Sequence, residues 1–128
     1  LIDASIINLE KQKFVSDKLY SDSKAKIYLK RGYSLNKIRY NLIKKGISDK
    51  YIKGSISEIK NQEPDPDFFS AITLCKKRRI GAVREENNRT LFYKKDMGIL
   101  ARSGFNYETS KRVLNLPKEE FKKFTKLL

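Results

Sequence analysis

Apolar residues recur along this chain every three to four positions and alternating strand-like runs are nearly absent, so the pattern predicts helices throughout. Ile2, Ile6 and Leu9 share one face and define a first helix over residues 1–12. Ser16 is placed to cap a second helix that runs through Tyr20 and Ile27 and stops near Gly32. Ser34 opens a third, striped by Leu35, Ile38 and Leu42 and stopped by Gly46. Ser48 opens a fourth, with Ile52, Ile56 and Ile59 inward. Pro64 and Pro66 interrupt the pattern in "KNQEPDPD", which reads as a linker. Asp67 then caps a fifth helix carrying Phe68, Ile72 and Cys75, which ends around "KKRRIG". A polar loop, "AVREENN", precedes a sixth helix with Tyr93, Met97 and Leu100 inward and Gly104 at its end. Asn106 caps a seventh that buries Ser110, Val113 and Leu114. Pro117, with Glu119 and Glu120 near the positive end of the helix dipole, announces a last helix built on Phe121, Phe124 and Leu128.

Two corners in this series match. A shift of 58 residues brings "LIKKGISDKYI" onto "LARSGFNYETS", superposing Leu42 on Leu100, Gly46 on Gly104, Ile47 on Phe105, Ser48 on Asn106 and Ile56 on Leu114. These are the positions a helix–helix corner constrains: a glycine for the left-handed turn, an apolar residue that folds back, and a capping side chain. Upstream of each corner lies another helix ending in a basic stretch and a glycine, "YLKRG" and "KKRRIG". Repetition at this spacing predicts an all-α chain of tandem three-helix repeats forming an elongated helical array, plus a C-terminal helix. The expected units are residues 1–13, the last helix of a first repeat; 14–62, a second repeat; 63–115, a third; and 116–128, the C-terminal helix. Leu1 already sits inside a helical pattern, which predicts a chain trimmed at its N-terminus.

Charge changes the picture more than length does. The 128 residues carry 29 Lys and Arg against 15 Asp and Glu, a net charge of +14 that predicts attraction to a polyanion. Nucleic acid, an acidic protein and an anionic membrane all satisfy it. No apolar run approaches the ~20 residues that span a bilayer, and the cations are spread through the repeats instead of one amphipathic segment, which argues against a membrane partner. With one cysteine and no histidine there is no disulfide and no zinc-type site, so a reducing, cytoplasmic setting is expected. Glu63, Asp65 and Asp67 are a poor Mg²⁺ site, since Asp67 has a capping role and hard cations need more converging oxygens. No metal or cofactor is expected. Without a histidine base, a Gly-rich phosphate loop or a serine nucleophile motif, an enzyme is the last choice.

The order Asp17 to Tyr20, "RGYSLNKIRYNLIKKGISDKYI", "KKRRIG" and "LARSGFNYETSKRVL" resembles the RecX family, bacterial regulators of the RecA recombinase. The resemblance covers residues 1–115 and is most specific over Arg31 to Ile52 and Leu100 to Leu114. It implies an all-helical protein of three-helix repeats. It also implies a non-enzymatic regulator that binds the RecA filament on DNA and restrains ATP hydrolysis, strand exchange and filament extension, within DNA repair, recombination and the SOS response.

Helix geometry narrows the cations. With Leu35, Ile38 and Leu42 inward, Lys37 and Lys44 project from the opposite face, and the 58-residue shift puts Lys95 and Arg102 at the equivalent places. It also takes Lys53 onto Lys111. These six, supplemented by Arg31, Arg39, Lys45, Arg78, Arg79 and Arg84, form the expected contact surface for RecA and its DNA, met by a monomer. A direct DNA-binding protein is the alternative, with a corner acting as helix-turn-helix. Its second helix would offer Lys50, Tyr51 and Lys53, or Tyr107, Glu108 and Lys111, a set suited to phosphates more than base edges. Tyr40 is expected to pack on a neighbouring repeat, and Cys75 to be a small core residue.

Overall fold

The structure is a computed structural model that describes the backbone of residues 2–128 and the side chains of residues 16–128. The described residues form eight α-helices and no strand: α1 (Ile2–Lys30), α2 (Leu35–Lys44), α3 (Asp49–Gln62), α4 (Pro66–Arg78), α5 (Glu86–Leu91), α6 (Tyr93–Arg102), α7 (Tyr107–Leu114) and α8 (Lys118–Lys126), with a 3₁₀ turn at Gly81–Val83. The protein is all-α, as the periodicity predicts.

Four helix ends close with one turn. Tyr33 N–H donates to Tyr28 O at 3.1 Å, Ile47 to Leu42 O at 3.2 Å, Ile80 to Cys75 O at 3.0 Å and Phe105 to Leu100 O at 3.1 Å. Each bond spans five residues and folds an apolar side chain back over the last turn. The residue before it is left-handed in every case: Gly32 (φ 86°), Gly46 (φ 80°), Arg79 (φ 56°) and Gly104 (φ 93°). At α4 that position belongs to Arg79, two residues before the glycine of "KKRRIG". The 58-residue shift thus reproduces the ends of α2 and α6 bond for bond, while the caps that follow differ. Asn106 accepts from Thr109 N–H at 2.8 Å, as Ser34 does from Lys37 N–H at 3.1 Å, but Ser48 makes no such side-chain bond.

Two apolar clusters form the core, and they share no residue. The first joins Ala25 and Tyr28 of α1 to Ile38 and Leu42 of α2 and to Ile52, Ile56 and Ile59 of α3. The second gathers Phe68, Ile72 and Cys75 of α4, Leu100 of α6, Val113 and Leu114 of α7 and Phe121 of α8, with Phe124 and Met97 against it. Burial drives the Cys75 thiol up to about 12, with Asp96 adding to the effect, so it stays a neutral core group. Between α1 and α3, Ser21 and Ser55 hydroxyls lie 2.7 Å apart, and Ser55 donates to Asp22 Oδ1 at 2.6 Å, so small polar residues let the two helices approach closely.

Several expectations are corrected. The two N-terminal helices are one: α1 runs through Ser16 without a break, so Ser16 caps nothing. No Gly or Pro occurs between residues 1 and 31, and nothing else there stops a helix. The stripe of Ile2, Ile6 and Leu9 lies outside the residues whose side chains are described. Tyr20 and Ile27 are exposed, and Ser21, Ala25 and Tyr28 take the buried face. The linker shrinks to residues 63–65, because Pro66 opens α4 at a position where its missing N–H is harmless. Asp67 is not the cap of α4. It lies in the first turn and reaches across to accept Leu35 N–H, at the start of α2, at 2.9 Å. Desolvation raises its carboxyl above the ordinary range, and the Leu35 bond opposes that shift. The loop "AVREENN" is cut short by α5, which begins within it at Glu86 and is held by Arg89, which donates to Leu114 O at 2.9 Å and Leu116 O at 2.7 Å. Leu128 is exposed, not buried.

Candidate partner-binding surface

The two clusters meet across a polar junction that decides where the cations fall. Ser34 Oγ donates to Ser103 O at 2.8 Å, and Asn36 Nδ2 donates to Gly104 O at 3.3 Å. The last turn of α6 therefore abuts the first turn of α2, with the carbonyl end of one helix dipole against the amide end of the next. The loop before α2 presses against α4 at the same place: a Cβ on Gly32 would lie 3.1 Å from Ser70 O and Leu74 N. Along this head-to-tail pair the repeat-equivalent cations follow in the order Lys95, Arg102, Lys37, Lys44. Arg102 folds back along its helix, so that a Cβ on Gly98 would sit 3.3 Å from its Nη1.

Most of these cations are poised over aromatic rings. Lys37 Nζ lies 4.0 Å from the centroid of Tyr33, Lys44 5.2 Å from Tyr40, Lys95 5.7 Å from Phe92 and Lys111 5.9 Å from Tyr107. Such contacts are worth about 0.5–1 kcal/mol at exposed sites, enough to bias a lysine's direction without neutralising it. Tyr40 and Tyr107 are 60% and 64% exposed, so Tyr40 does not pack on a neighbouring repeat; it stands on the surface as half of a Tyr–Lys couple. The recurring Tyr-x-x-x-Lys spacing at 20–24, 33–37, 40–44 and 107–111 is the signal that would have revealed these couples in the sequence.

Two curated proteins are similar to this chain in sequence. A regulatory protein RecX from Clostridioides difficile strain 630 is 36% identical over 80 residues, 62% of this chain and 35% of that protein. A regulatory protein RecX from Myxococcus xanthus strain DK1622 is 25% identical over 119 residues, 89% of this chain and 60% of that protein. Both relatives support a RecX family assignment. It spans less than two thirds of the length of either relative. No protein-family model and no solved structure matches it.

The remaining expected cations sort by environment. Arg39 and Lys45 are exposed on α2 and the residue after it. Lys53 pairs with Asp49 at 3.0 Å, an exposed i, i+4 contact that leaves its charge available. Arg31, Arg78 and Arg79 gather where the ends of α1 and α4 meet, joined by a bond from Lys77 Nζ to Arg31 O at 3.2 Å. Lys30, Lys76 and Lys77 belong to the same concentration and are not among the cations expected from the sequence. At Arg79 a left-handed conformation costs an L-residue about 1–2 kcal/mol that glycine would not incur, a strain consistent with a role for the side chain.

Arg84 is different. Its Nε and Nη2 each donate to the Asp96 carboxylate at 2.9 Å, and the same carboxylate accepts Gly81 N–H at 3.0 Å. The bonds hold the guanidinium more firmly protonated than usual, and its fork is consumed in fixing the turn at 81–84 to α6. The acidic linker residues are likewise engaged: Asp65 accepts from Arg112 at 2.7 Å and Asp67 from Leu35. Among the described residues no three His, Cys, Asp or Glu side chains are grouped to hold a metal, and no helix is long and apolar enough to cross a membrane.

Proposed function

We propose that this chain is a non-enzymatic regulator that binds the RecA–DNA filament and inhibits RecA's ATP hydrolysis, strand exchange and filament extension, so tempering recombination and DNA repair. The observation that carries the reading is the head-to-tail order Lys95, Arg102, Lys37, Lys44 across two abutting helices of a chain similar to RecX proteins. A filament repeats its charge along its axis, and cations repeated along a binding surface engage several copies of that charge at once. Arg39, Lys45, Lys53, Lys111 and the Arg31, Arg78 and Arg79 group extend the surface.

The exposed couples Tyr40 with Lys44 and Tyr107 with Lys111 favour a second reading, direct sequence-nonspecific DNA binding in which the ring stacks and the ammonium meets a phosphate. Double substitution Lys44→Glu with Arg102→Glu separates reading from background. Both residues are exposed, so far-UV circular dichroism should be unchanged. The concentration that half-inhibits RecA's DNA-dependent ATPase should rise by roughly tenfold, a loss of about 1.4 kcal/mol. An unaltered inhibition curve sinks the assignment of these residues.

A further inference from the structure

A second surface, which meets the proposed filament surface only at the Arg31, Arg78 and Arg79 group, is an open groove of about 900 Å³ along one face of α4. Its floor is Pro66, the adjacent pair Phe69 and Ser70, and Thr73, which fall on successive turns of α4. Leu29, Leu127 and Leu128 add apolar lining; the last two are 74% and 59% exposed. The groove is electrically lopsided. Lys30, Lys76 and Lys77 crowd one end, beside Arg31, Arg78 and Arg79, whereas the other end holds Glu63.

We propose that this groove docks an acidic amphipathic helix of a partner protein. Three features choose that occupant. The floor is an α-helix and not a sheet edge, so an extended peptide would find no strand to pair with, whereas a helix brings its own bonds satisfied. Lining residues from Pro66 to Lys77 advance about 16 Å along α4, the length of three turns of a docked helix, and the volume suits a few apolar side chains. The lysine end accepts carboxylates, and a basic helix would meet repulsion there. Apolar residues at i, i+3 or i+4 and i+7 fill the floor while acidic residues at one end meet Lys30, Lys76 and Lys77.

The test uses the intact chain and a fluorescein-labelled helical peptide of about 15 residues, with leucines at that spacing and a glutamate-rich end, beside an analogue with lysine for each glutamate. In anisotropy titrations the acidic peptide should bind at least about tenfold tighter. Leu127→Asp with Leu128→Asp, and separately Lys30→Glu with Lys76→Glu, should each weaken it by about tenfold; all four residues are exposed, so the fold is kept. Lys44→Glu with Arg102→Glu, which removes as much charge from the other surface, should leave binding unchanged, so the result stands apart from the RecA reading. Equal binding of the two peptides, or equal loss in all three variants, overturns the proposal as general attraction to a +14 protein. Preferential capture by phosphatidylglycerol vesicles, or self-association in sedimentation that the groove variants abolish, overturns it in favour of a lipid surface or a second copy.

Discussion

Asp96→Ala is expected to remove about 3–5 kcal/mol of stability, the cost of taking one partner from a buried ion pair. Asp96 is 1% exposed and answers three donors, two on Arg84 and the Gly81 N–H. Alanine would leave the Arg84 guanidinium against the Phe92 ring, 4.5 Å away, with no counter-charge, and a buried amide with no acceptor. Against a usual domain stability of about 5–15 kcal/mol the loss is large enough to populate unfolded chain at moderate temperature. Urea unfolding at neutral pH, followed by circular dichroism, reads it directly. A loss under about 1 kcal/mol would mean that the pair is no keystone of the α6 turn.

The second large effect separates two glycines that the sequence makes equivalent. Gly46→Ala should cost only the left-handed backbone term, about 1–2 kcal/mol, because beyond its chain neighbours no described residue lies within 4 Å of the added Cβ. Gly104→Ala should cost about 2–5 kcal/mol, adding overpacking of about 1–3 to the same term. Its Cβ would lie 2.5 Å from Ser34 Oγ. That oxygen cannot swing aside, since it donates to Ser103 O and accepts from Lys37 N–H. The difference between the two variants measures the α6–α2 junction itself. Equal losses in urea unfolding would show that the junction contributes nothing.

The fold was legible where a corner imposes chemistry on single residues. Gly46 with Ile47 and Gly104 with Phe105 had to be helix ends, since few other pairs take a left-handed turn and fold an apolar side chain back. The inward stripes of α2, α3, α4 and α7 followed from periodicity. Continuity of α1 was hidden because Ser16 has the chemistry of a cap, which helix interiors tolerate when nothing upstream ends the preceding turn. The short α5 has too few apolar residues for a period and depends on the bonds of Arg89 to α7 and the residues after it.

The candidate surface was legible in part. Lys37, Lys44, Lys95 and Arg102 were found by the repeat, but their order depends on α6 meeting α2, a contact between residues 69 and 68 positions apart. Arg84 was read as one more surface cation because its partner went unnoticed. The clue was present: the 58-residue shift takes buried Ile38 onto Asp96, placing a carboxylate at a core position. A charge there demands a counter-charge, and Arg84 is the residue that supplies it. The same shift takes Ile52 onto Ser110, whose buried hydroxyl has no hydrogen-bond partner among the described residues. The later matched segment thus carries polar groups at two positions where the earlier one has core isoleucines, and among the described residues only the Asp96 side chain is hydrogen-bonded.

The most direct test of the regulatory reading is RecA's DNA-dependent ATP hydrolysis with this chain added well below the RecA concentration. Filament binding predicts strong inhibition at such a ratio, because one bound molecule restrains many RecA subunits. Inhibition that appears only when the chain is abundant enough to coat the DNA would contradict it and assign the cations to phosphate binding.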